Sequence, residues 1–361
     1  MSEHQQRDRP REPRPNRASA VVSLWIGTYP EAGLGTPAGV GEGVWHLTLD
    51  LGARRFGAPR LAATAPAPSF LALHPDRPML YALGETSPGT VTAFGIQGDA
   101  LEQSDAVPSG GDGPCHLMVG PGARALYVSH YADDLITVVP LDSAGKLADG
   151  SAAPAIRDPS QPTTARSGRS HAHFAAVAPG GKYMLVCDLG TDELRRYRVE
   201  RNGGLVEDGV AATLPSGTGP RHLAVGPDGL LHVTGELDGR LHVLRWDPGT
   251  ATAVPVGVTP IGLGTLGYPA HAERDGARVH VSVRGSDILS TFAIDEVGQL
   301  RHLGQVSAGG KWPRHFAVVG DVRVVANEHS HEVAAIGPDG EVIDVAVIPS
   351  PACVVVDRSR R

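Results

Sequence analysis

Short apolar runs separated by polar turns recur along most of this chain. The segment CHLMVGPGARALYVSHYADDLITVVPLD, which begins at Cys115, shows the unit: an apolar run, a turn rich in glycine and proline, a second apolar run, a polar turn and a third, alternating run. Alternation with a period of two residues is typical of β-strands. Each unit therefore predicts consecutive antiparallel strands joined by tight turns.

Six copies of this unit follow one another. They begin at Ser69, Cys115, His173, Arg221, Ala270 and Arg314. The first four contain a turn proline, and these prolines lie 46, 58 and 48 residues apart: Pro75, Pro121, Pro179 and Pro227. A fourth, more variable strand fits the linking segments, for example 101–108 and 300–307. Four strands at this period are typical of a propeller blade.

The two ends of the repeat region predict one more blade. Residues 23–50 supply its second and third strands, and the last segment, VIDVAVIPSPACVVVD at 342–357, is predicted to return and complete it. Such a closure removes the open edge of the sheet. The prediction is an all-β, seven-bladed β-propeller with four-stranded antiparallel blades and terminal-strand closure. An open array of hairpins or a β-sandwich is the alternative, which the regular period disfavours.

The domain organisation follows from the extent of the repeat. Residues 20–361 are predicted to form a single propeller domain, and residues 1–19, which are charged and proline-rich, a disordered tail. The segment 152–170 breaks the period and is predicted to be a surface insertion between blades.

Composition narrows the classes of partner. The formal net charge is −7 and no Lys/Arg block is interleaved with aromatics, so a nucleic-acid partner is not expected. No window of about 20 apolar residues occurs, so no membrane span is expected. The N-terminal segment lacks the apolar core of a signal peptide. Three widely spaced cysteines argue against a disulfide framework, and we expect a cytoplasmic monomer or weak homo-oligomer with reduced thiols.

The candidate site is predicted by what varies between the copies. In a propeller the first strand of each blade lines the central channel, so the residues that open the six copies gather at one mouth. The second strand returns to the same mouth. It brings a second ring of residues there: Glu85, Tyr131, Leu189, Glu236, Arg284 and Glu328.

Four of these positions are predicted to form a catalytic group. His173, Arg221, Glu236 and Arg284 fall on three consecutive blades and should face one another. Arginine binds carboxylate or phosphate and stabilises a developing oxyanion. A histidine can take a proton from water, and a carboxylate beside it can orient the ring or exchange protons. Because no G-x-S-x-G motif is present, this set predicts acyl transfer to water on an anionic substrate.

Other polar residues at the same mouth are candidates for substrate binding: Arg314, His171, Glu85 and Tyr131. The histidines at the third place of the P-x-H triplet recur too regularly to be site-specific, and we interpret them as packing elements: His116, His222, His271 and His315. Metal ligation by the H-x-H at 171–173 is the rival hypothesis. No nearby cysteine or acidic trio completes a ligand set, so neither a metal nor another cofactor is predicted.

Several motifs together resemble the lactonase family of seven-bladed β-propellers. They include PSFLALHPDRPMLYALGE, HAHFAAVAPGGKYMLVCDLGTDEL, GTGPRHLAVGPDGLLHVTGEL and WPRHFAV, and the resemblance covers roughly residues 23–357. The family includes the bacterial propeller-type 6-phosphogluconolactonase and the fungal carboxy-cis,cis-muconate cyclase. The resemblance implies a lactonase that needs no metal and opens a sugar lactone. The substrate it implies first is 6-phosphoglucono-δ-lactone. A lactonising isomerase and a binding propeller without activity are the alternatives.

The resemblance also implies site residues. The family's histidine of the H-x-H strand, arginine of GPRH, glutamate and second arginine match His173, Arg221, Glu236 and Arg284, with His171 as the competing base. The chain departs from the family at three places where asparagine is common: His130, Gly235 and Val283. Valine cannot make the hydrogen bonds of an amide, so the cavity is expected to accept a different ring, and the resemblance leaves phosphorylation of the substrate open.

Overall fold

The computed structural model describes residues 21–29, 40–41, 43–148, 152–157, 170–262 and 267–358. The predicted tail at 1–19 and the greater part of the 152–170 segment lie outside these residues. Within them, seven antiparallel sheets are arranged as blades, which confirms the predicted propeller. In the described ranges, no helix has the length and apolar character needed to cross a membrane.

The strands of each blade are given from the channel outward. Blade 1 contains Pro351–Asp357, Val21–Thr28, Gly43–Asp50 and Arg60–Thr64, with Arg55–Phe56 also paired to its third strand. Blade 2 contains Leu71–Leu73, Met79–Gly84, Thr90–Gln97 and Ala100–Pro108. Blade 3 contains Pro114–Val119, Ala125–His130, Leu135–Pro140 and Ala153–Pro154. Blade 4 contains Ala172–Val177, Tyr183–Asp188, Glu193–Val199, Leu205–Thr213 and Ile156–Arg157.

The last three blades have four strands each. Blade 5 contains Pro220–Val225, Leu230–Gly235, Arg240–Asp247 and Thr252–Pro260. Blade 6 contains Tyr268–Asp275, Arg278–Arg284, Ile288–Ile294 and Leu300–Ser307. Blade 7 contains Pro313–Val319, Val322–Asn327, Glu332–Ile336 and Val342–Val347. Two short 3₁₀ turns, Pro121–Ala123 and Glu328–Ser330, connect strands in blades 3 and 7.

The chain closes the ring with its C-terminal strand. Pro351–Asp357 runs antiparallel to Val21–Thr28, for example with Val355 opposite Trp25, as predicted. One half of the predicted closing segment belongs elsewhere, because Val342–Val347 pairs with Glu332–Ile336 as the outer strand of blade 7. The closure is therefore made by a single inner strand.

The predicted insertion at 152–170 also needs correction at its start. Ala153–Pro154 pairs with Leu135–Pro140 and completes blade 3 as its fourth strand. Ile156–Arg157 then pairs in parallel with Leu205–Thr213 of blade 4. These residues join two neighbouring sheets instead of forming a surface loop. The proline-rich composition hid this, since proline is tolerated only at sheet edges.

The apolar core is divided among the seven interfaces between neighbouring blades. Each interface has its own cluster of buried side chains, as between blades 1 and 7, where Leu24 and Leu47 pack against Val324 and Val333. Burying such a side chain contributes about 1.5–3 kcal/mol. Alternation along the strands supplies apolar side chains to both faces of a blade. This arrangement fixes the angular position of every strand that reaches the channel.

A ring of aromatic side chains, here called the aromatic belt, crosses the central channel. It consists of Phe70, His116, Phe174, His222, His271 and His315, the residues at the third place of the repeat. Neighbouring ring centroids lie 3.9 to 5.5 Å apart. The predicted packing role of the four histidines agrees with this position. Beyond the belt a cavity of about 810 Å³ is lined largely by apolar residues toward the far ends of the inner strands.

Two buried tyrosines at equivalent positions of blades 2 and 3 allow a matched test of the packing. The Tyr81 hydroxyl donates to the Gly145 carbonyl at 2.5 Å, whereas the buried Tyr127 hydroxyl has no partner among the described residues. We expect Tyr81→Phe to lower the free energy of unfolding by about 1 kcal/mol, because it strands a carbonyl. Tyr127→Phe is expected to be neutral or stabilising. Urea unfolding measures both, and equal losses would contradict this assignment.

Candidate active site

In blades 3, 5 and 7 the inner strand begins after a residue in the left-handed region that is followed by proline. Gly113 and Gly219 have φ values of 55° and 58° there, and blade 7 has Trp312 at 63°. Proline restricts its own φ, so the inner strand enters the channel in a similar way in these three copies. The residue after the proline begins the wall of the channel at this end, which we call the upper mouth. A tryptophan in this conformation is strained, which directs attention to its surroundings.

Two arginines on neighbouring blades share one carboxylate at the upper mouth. Arg221 Nε lies 2.9 Å from Glu236 Oε2, and Arg284 Nη2 lies 2.6 Å from the same oxygen. Arg221 also donates to the Ala270 carbonyl at 3.0 Å, and Arg284 donates to the Tyr268 carbonyl at 3.4 Å. The structure thus brings together three of the four predicted catalytic residues.

The charges in this group do not balance. Two guanidinium groups face one carboxylate, and both arginine side chains are buried. Burial, together with the nearby Arg284, lowers the pKa of Arg221 to about 9. Burial also lowers the pKa of Arg284, and Glu236 offsets this only partly. Arginines this close disfavour each other's charge. Because this group of three has two guanidinium groups and one carboxylate, an anionic ligand would balance its charge.

Arg314 has a different environment on the other side of the mouth. Its Nη1 lies 3.3 Å from Glu328 Oε2, and its Cζ lies 4.5 Å from the centre of the Tyr29 ring. Burial disfavours its charge, but Glu328 and then Glu85 outweigh this effect and raise the pKa of Arg314. Arg314 is therefore already compensated by carboxylates, and it is less suited to an anion than the Arg221–Arg284 pair.

His173 lines a small cavity between the arginines and the aromatic belt. The cavity has a volume of about 10 Å³, close to the minimum for one water molecule. The residues around it are Ser69, Phe70, Cys115, His173, Arg221, His222, Arg314, His315 and Ala352. His173 is buried, and its Nδ1 has no hydrogen-bond partner among the described residues. Burial and then Arg221 hold the pKa of His173 well below its ordinary value, so the imidazole is neutral.

His171 and Tyr131, two predicted substrate-binding residues, form the rim above His173. Their rings stack at a centroid distance of 4.3 Å, and His171 Nδ1 donates to the Tyr131 carbonyl at 2.8 Å. The Tyr131 ring meets that of His173 edge-on at 6.0 Å. Of the two candidate bases, His173 is the one that lines the small cavity.

Glu85, the fourth predicted substrate-binding residue, is only 4% exposed. The Tyr29 hydroxyl donates to its Oε1 at 3.3 Å, and the Ser69 hydroxyl bonds its Oε2. Its carboxyl group therefore contacts two hydroxyl groups within the protein and reaches the small cavity only through Ser69.

Trp312 and Tyr29 are site residues that the repeat did not single out. The Trp312 ring stacks on His329 at 4.6 Å, and Arg284 Cζ lies 5.4 Å from the ring centre. Trp312 lies where two other copies have glycine, and this difference between the copies could have identified it as a site residue. Tyr29 follows the second strand of blade 1, outside the six copies, so their alignment carried no signal for it.

Among the residues that the structure describes, no group of three or more His, Cys, Asp or Glu side chains is placed to hold a metal ion. The three cysteines are buried and unpaired. Cys115 Sγ donates to the His173 carbonyl at 3.3 Å, and burial raises the pKa of its thiol. Cys115 is therefore a packed thiol and not a nucleophile.

Comparison with known proteins assigns the chain to a family. A family model described as "Lactonase, 7-bladed beta-propeller" matches residues 23–356. The chain belongs to the lactonase family. Sequence identity to individual named relatives is below 30%. A 6-phosphogluconolactonase of Bacillus subtilis is 27% identical over 91% of this chain and 97% of its own length. A 6-phosphogluconolactonase of Xenorhabdus nematophila is 25% identical over 87% and 94% of the two chains.

A solved structure of a lactonase has the same architecture. The periplasmic gluconolactonase of Pseudomonas aeruginosa superposes with a TM-score of 0.81 at 25% identity, covering 93% of this chain and 99% of its own. That gluconolactonase is described as periplasmic, whereas a cytoplasmic location is expected for this lactonase-family chain. The cytoplasmic location stays a prediction.

The three departures from the family pattern have structural reasons in this lactonase-family propeller. Val283 is 3% exposed and packs in the apolar cluster between blades 5 and 6. A Cβ atom at Gly235 would collide with the Asp238 carboxylate. His130 Nε2 bonds the Ser109 hydroxyl at 3.0 Å. Val283 thus packs in the core, and the expectation that the cavity accepts a different ring stays a prediction.

Proposed function

We propose that this lactonase-family propeller hydrolyses a sugar lactone that carries an anionic group, with 6-phosphoglucono-δ-lactone as the proposed substrate. One observation carries the proposal: two buried guanidinium groups, those of Arg221 and Arg284, share a single oxygen of Glu236, so this group of three has one guanidinium more than it has carboxylates. The names of the relatives supply the lactone. The reaction we propose uses water and no metal ion.

The roles of the residues follow from their positions. Arg221 and Arg284 bind the anionic group and stabilise the negative charge that develops on the lactone carbonyl oxygen. Glu236 keeps the two guanidinium groups in a fixed geometry through an ion pair to each of them. His173, neutral and with an unpartnered ring nitrogen, contacts the attacking water in the small cavity. Tyr131 and His171 form the apolar and polar rim over the sugar ring.

A panel of substrates tests this proposal. Purified protein is assayed by pH-stat with 6-phosphoglucono-δ-lactone, glucono-δ-lactone and carboxy-cis,cis-muconate, with correction for spontaneous opening. We expect hydrolysis of both lactones and a kcat/KM about a hundredfold higher for the phosphorylated one, since the phosphate adds charge-assisted hydrogen bonds. Ring closure of the muconate without lactone hydrolysis would instead indicate the isomerase. No turnover with any of the three would indicate a binding propeller.

A further inference from the structure

In three blades the residue that begins the inner strand pairs with the residue at the end of the second strand, at the upper mouth. The contact is either a hydrogen bond or an ion pair. Arg221 pairs with Glu236 on blade 5, and Arg314 pairs with Glu328 on blade 7. On blade 2 the same two places hold Ser69 and Glu85. Of the three glutamates, Glu85 is therefore the one whose contacting side chains are hydroxyl groups, contributed by Ser69 and Tyr29.

This difference has a chemical consequence. A guanidinium group has no acceptor atom, so the arginines that pair with Glu236 and Glu328 cannot relay a proton to those carboxyl groups. Glu328 Oε1 also lies 3.7 Å from His329 Nε2, which is longer than a hydrogen bond. A hydroxyl group both donates and accepts, so it can carry a proton between its two sides. Ser69 bonds Glu85 on one side and lines the small cavity on the other.

We infer that Ser69 and Glu85 are the proton-transfer pair of the site: Ser69 is a catalytic residue that contacts the attacking water, and Glu85 acts through it as the proton acceptor. This inference rests on the proposed lactone hydrolysis and adds to it the group that takes the proton. It assigns to His173 a hydrogen bond to the water and no net proton transfer.

The proton balance of the reaction closes with this pair. As the water oxygen bonds to the lactone carbonyl carbon, its proton moves to Ser69 Oγ while the Ser69 proton moves to Glu85 Oε2. When the bond between that carbon and the ring oxygen breaks, Glu85 returns a proton through Ser69 to the ring oxygen, which becomes a hydroxyl group. Neither an oxidant nor a metal is required, and the pair ends as it began.

The surroundings of Glu85 favour the role of acceptor. Burial raises the pKa of Glu85 above its ordinary value, and Glu328 adds to the rise. Arg314 and the hydroxyl groups of Ser69 and Tyr29 act in the opposite direction without cancelling it. Cys115 lines the same small cavity as Ser69, and it is a neutral thiol because burial raises its pKa. A carboxylate with a raised pKa is a stronger base, whereas His173, with its pKa held well below 6.5, is a weaker one.

The test is the pH dependence of kcat in wild type, Glu85→Gln and Ser69→Ala. Because the acceptor must be ionised, we expect wild-type kcat to rise with pH through a limb above the ordinary glutamate value of 4.5. Both variants should lose this limb and about 10²- to 10³-fold in kcat, with KM nearly unchanged. The double variant should be no slower than either single one, since the two act as a unit. Ser69→Thr, which keeps a hydroxyl group, should recover part of the rate.

The matched control is Glu102→Gln, the same change at an exposed position on the outer strand of blade 2, with wild-type kinetics expected. If Glu85→Gln and Ser69→Ala both fold and keep the wild-type limb with kcat within about threefold, the inference is overturned while lactone hydrolysis stands. If wild type opens no lactone, the proposed function fails first. If Glu85→Gln does not fold, the smaller Ser69→Ala change decides between the two outcomes.

Discussion

Arg284→Ala is expected to lower kcat/KM for lactone hydrolysis by about 10²- to 10³-fold, the usual cost of removing one group that stabilises a developing oxyanion. The fold should survive the change. Glu236 keeps Arg221 at 2.9 Å, and removing one of two crowded guanidinium groups relieves their mutual repulsion. Steady-state kinetics measure the loss, and thermal unfolding checks that the variant is folded.

Arg301→Ala is the matched control for this prediction. Arg301 lies on the outer strand of the same blade and is exposed, so its removal should leave kcat/KM and unfolding unchanged. Arg284→Lys keeps the charge but loses the fixed fork, and we expect an intermediate rate. An Arg284→Ala variant with wild-type kcat/KM would show that the uncompensated charge has no part in turnover.

The aromatic belt is expected to make the protein sensitive to acid. Burial lowers the pKa of His116 and of His315 to about 3, and it lowers those of His222 and His271 as well. An unfolded chain binds protons at these histidines below pH 6.5, whereas the folded chain does not. Their contribution to stability is therefore complete above pH 6.5 and is lost as pH falls toward the folded-state pKa values. Proton uptake by the unfolded chain at His116 and at His315 should each lower the free energy of unfolding by about 2 kcal/mol between pH 6.5 and 5.

His116→Phe tests this expectation, because Phe70 and Phe174 occupy the same place in blades 2 and 4. Urea unfolding at several pH values should show a loss between pH 7.5 and 5 that is smaller than in wild type by about 2 kcal/mol. His331→Asn, a change at an exposed histidine, should keep the wild-type dependence. An unchanged pH dependence in His116→Phe would mean that this histidine becomes charged within the folded protein.

Much of the fold was predictable because each blade repeats the same local rules. The turn prolines and the alternating runs gave six blades and the strand at 300–307 with its bounds. The errors fell where a strand is short or proline-rich, as at Ala153–Pro154, and where the last segment had to be divided between blades 7 and 1. In both places the pairing partner, and not the local pattern, decides the structure.

The candidate site was predictable as a set of positions but not as a set of contacts. Position in the repeat placed Arg221, Glu236 and Arg284 at one mouth. It did not show that Arg284 reaches across to the carboxylate of the preceding blade, because that contact depends on the length and conformation of the side chains. Nor did it show that the Glu85 carboxyl contacts hydroxyl groups, one of them from Tyr29 of blade 1.

The most direct test of the account is the initial rate of 6-phosphoglucono-δ-lactone hydrolysis by the wild-type protein in the presence of a chelator. The rate is followed by pH-stat against the spontaneous opening of the same lactone. The account predicts a saturable rate that is proportional to protein concentration, exceeds the spontaneous rate and is unaffected by the chelator. A rate indistinguishable from spontaneous opening, with both this lactone and its unphosphorylated form, would contradict it.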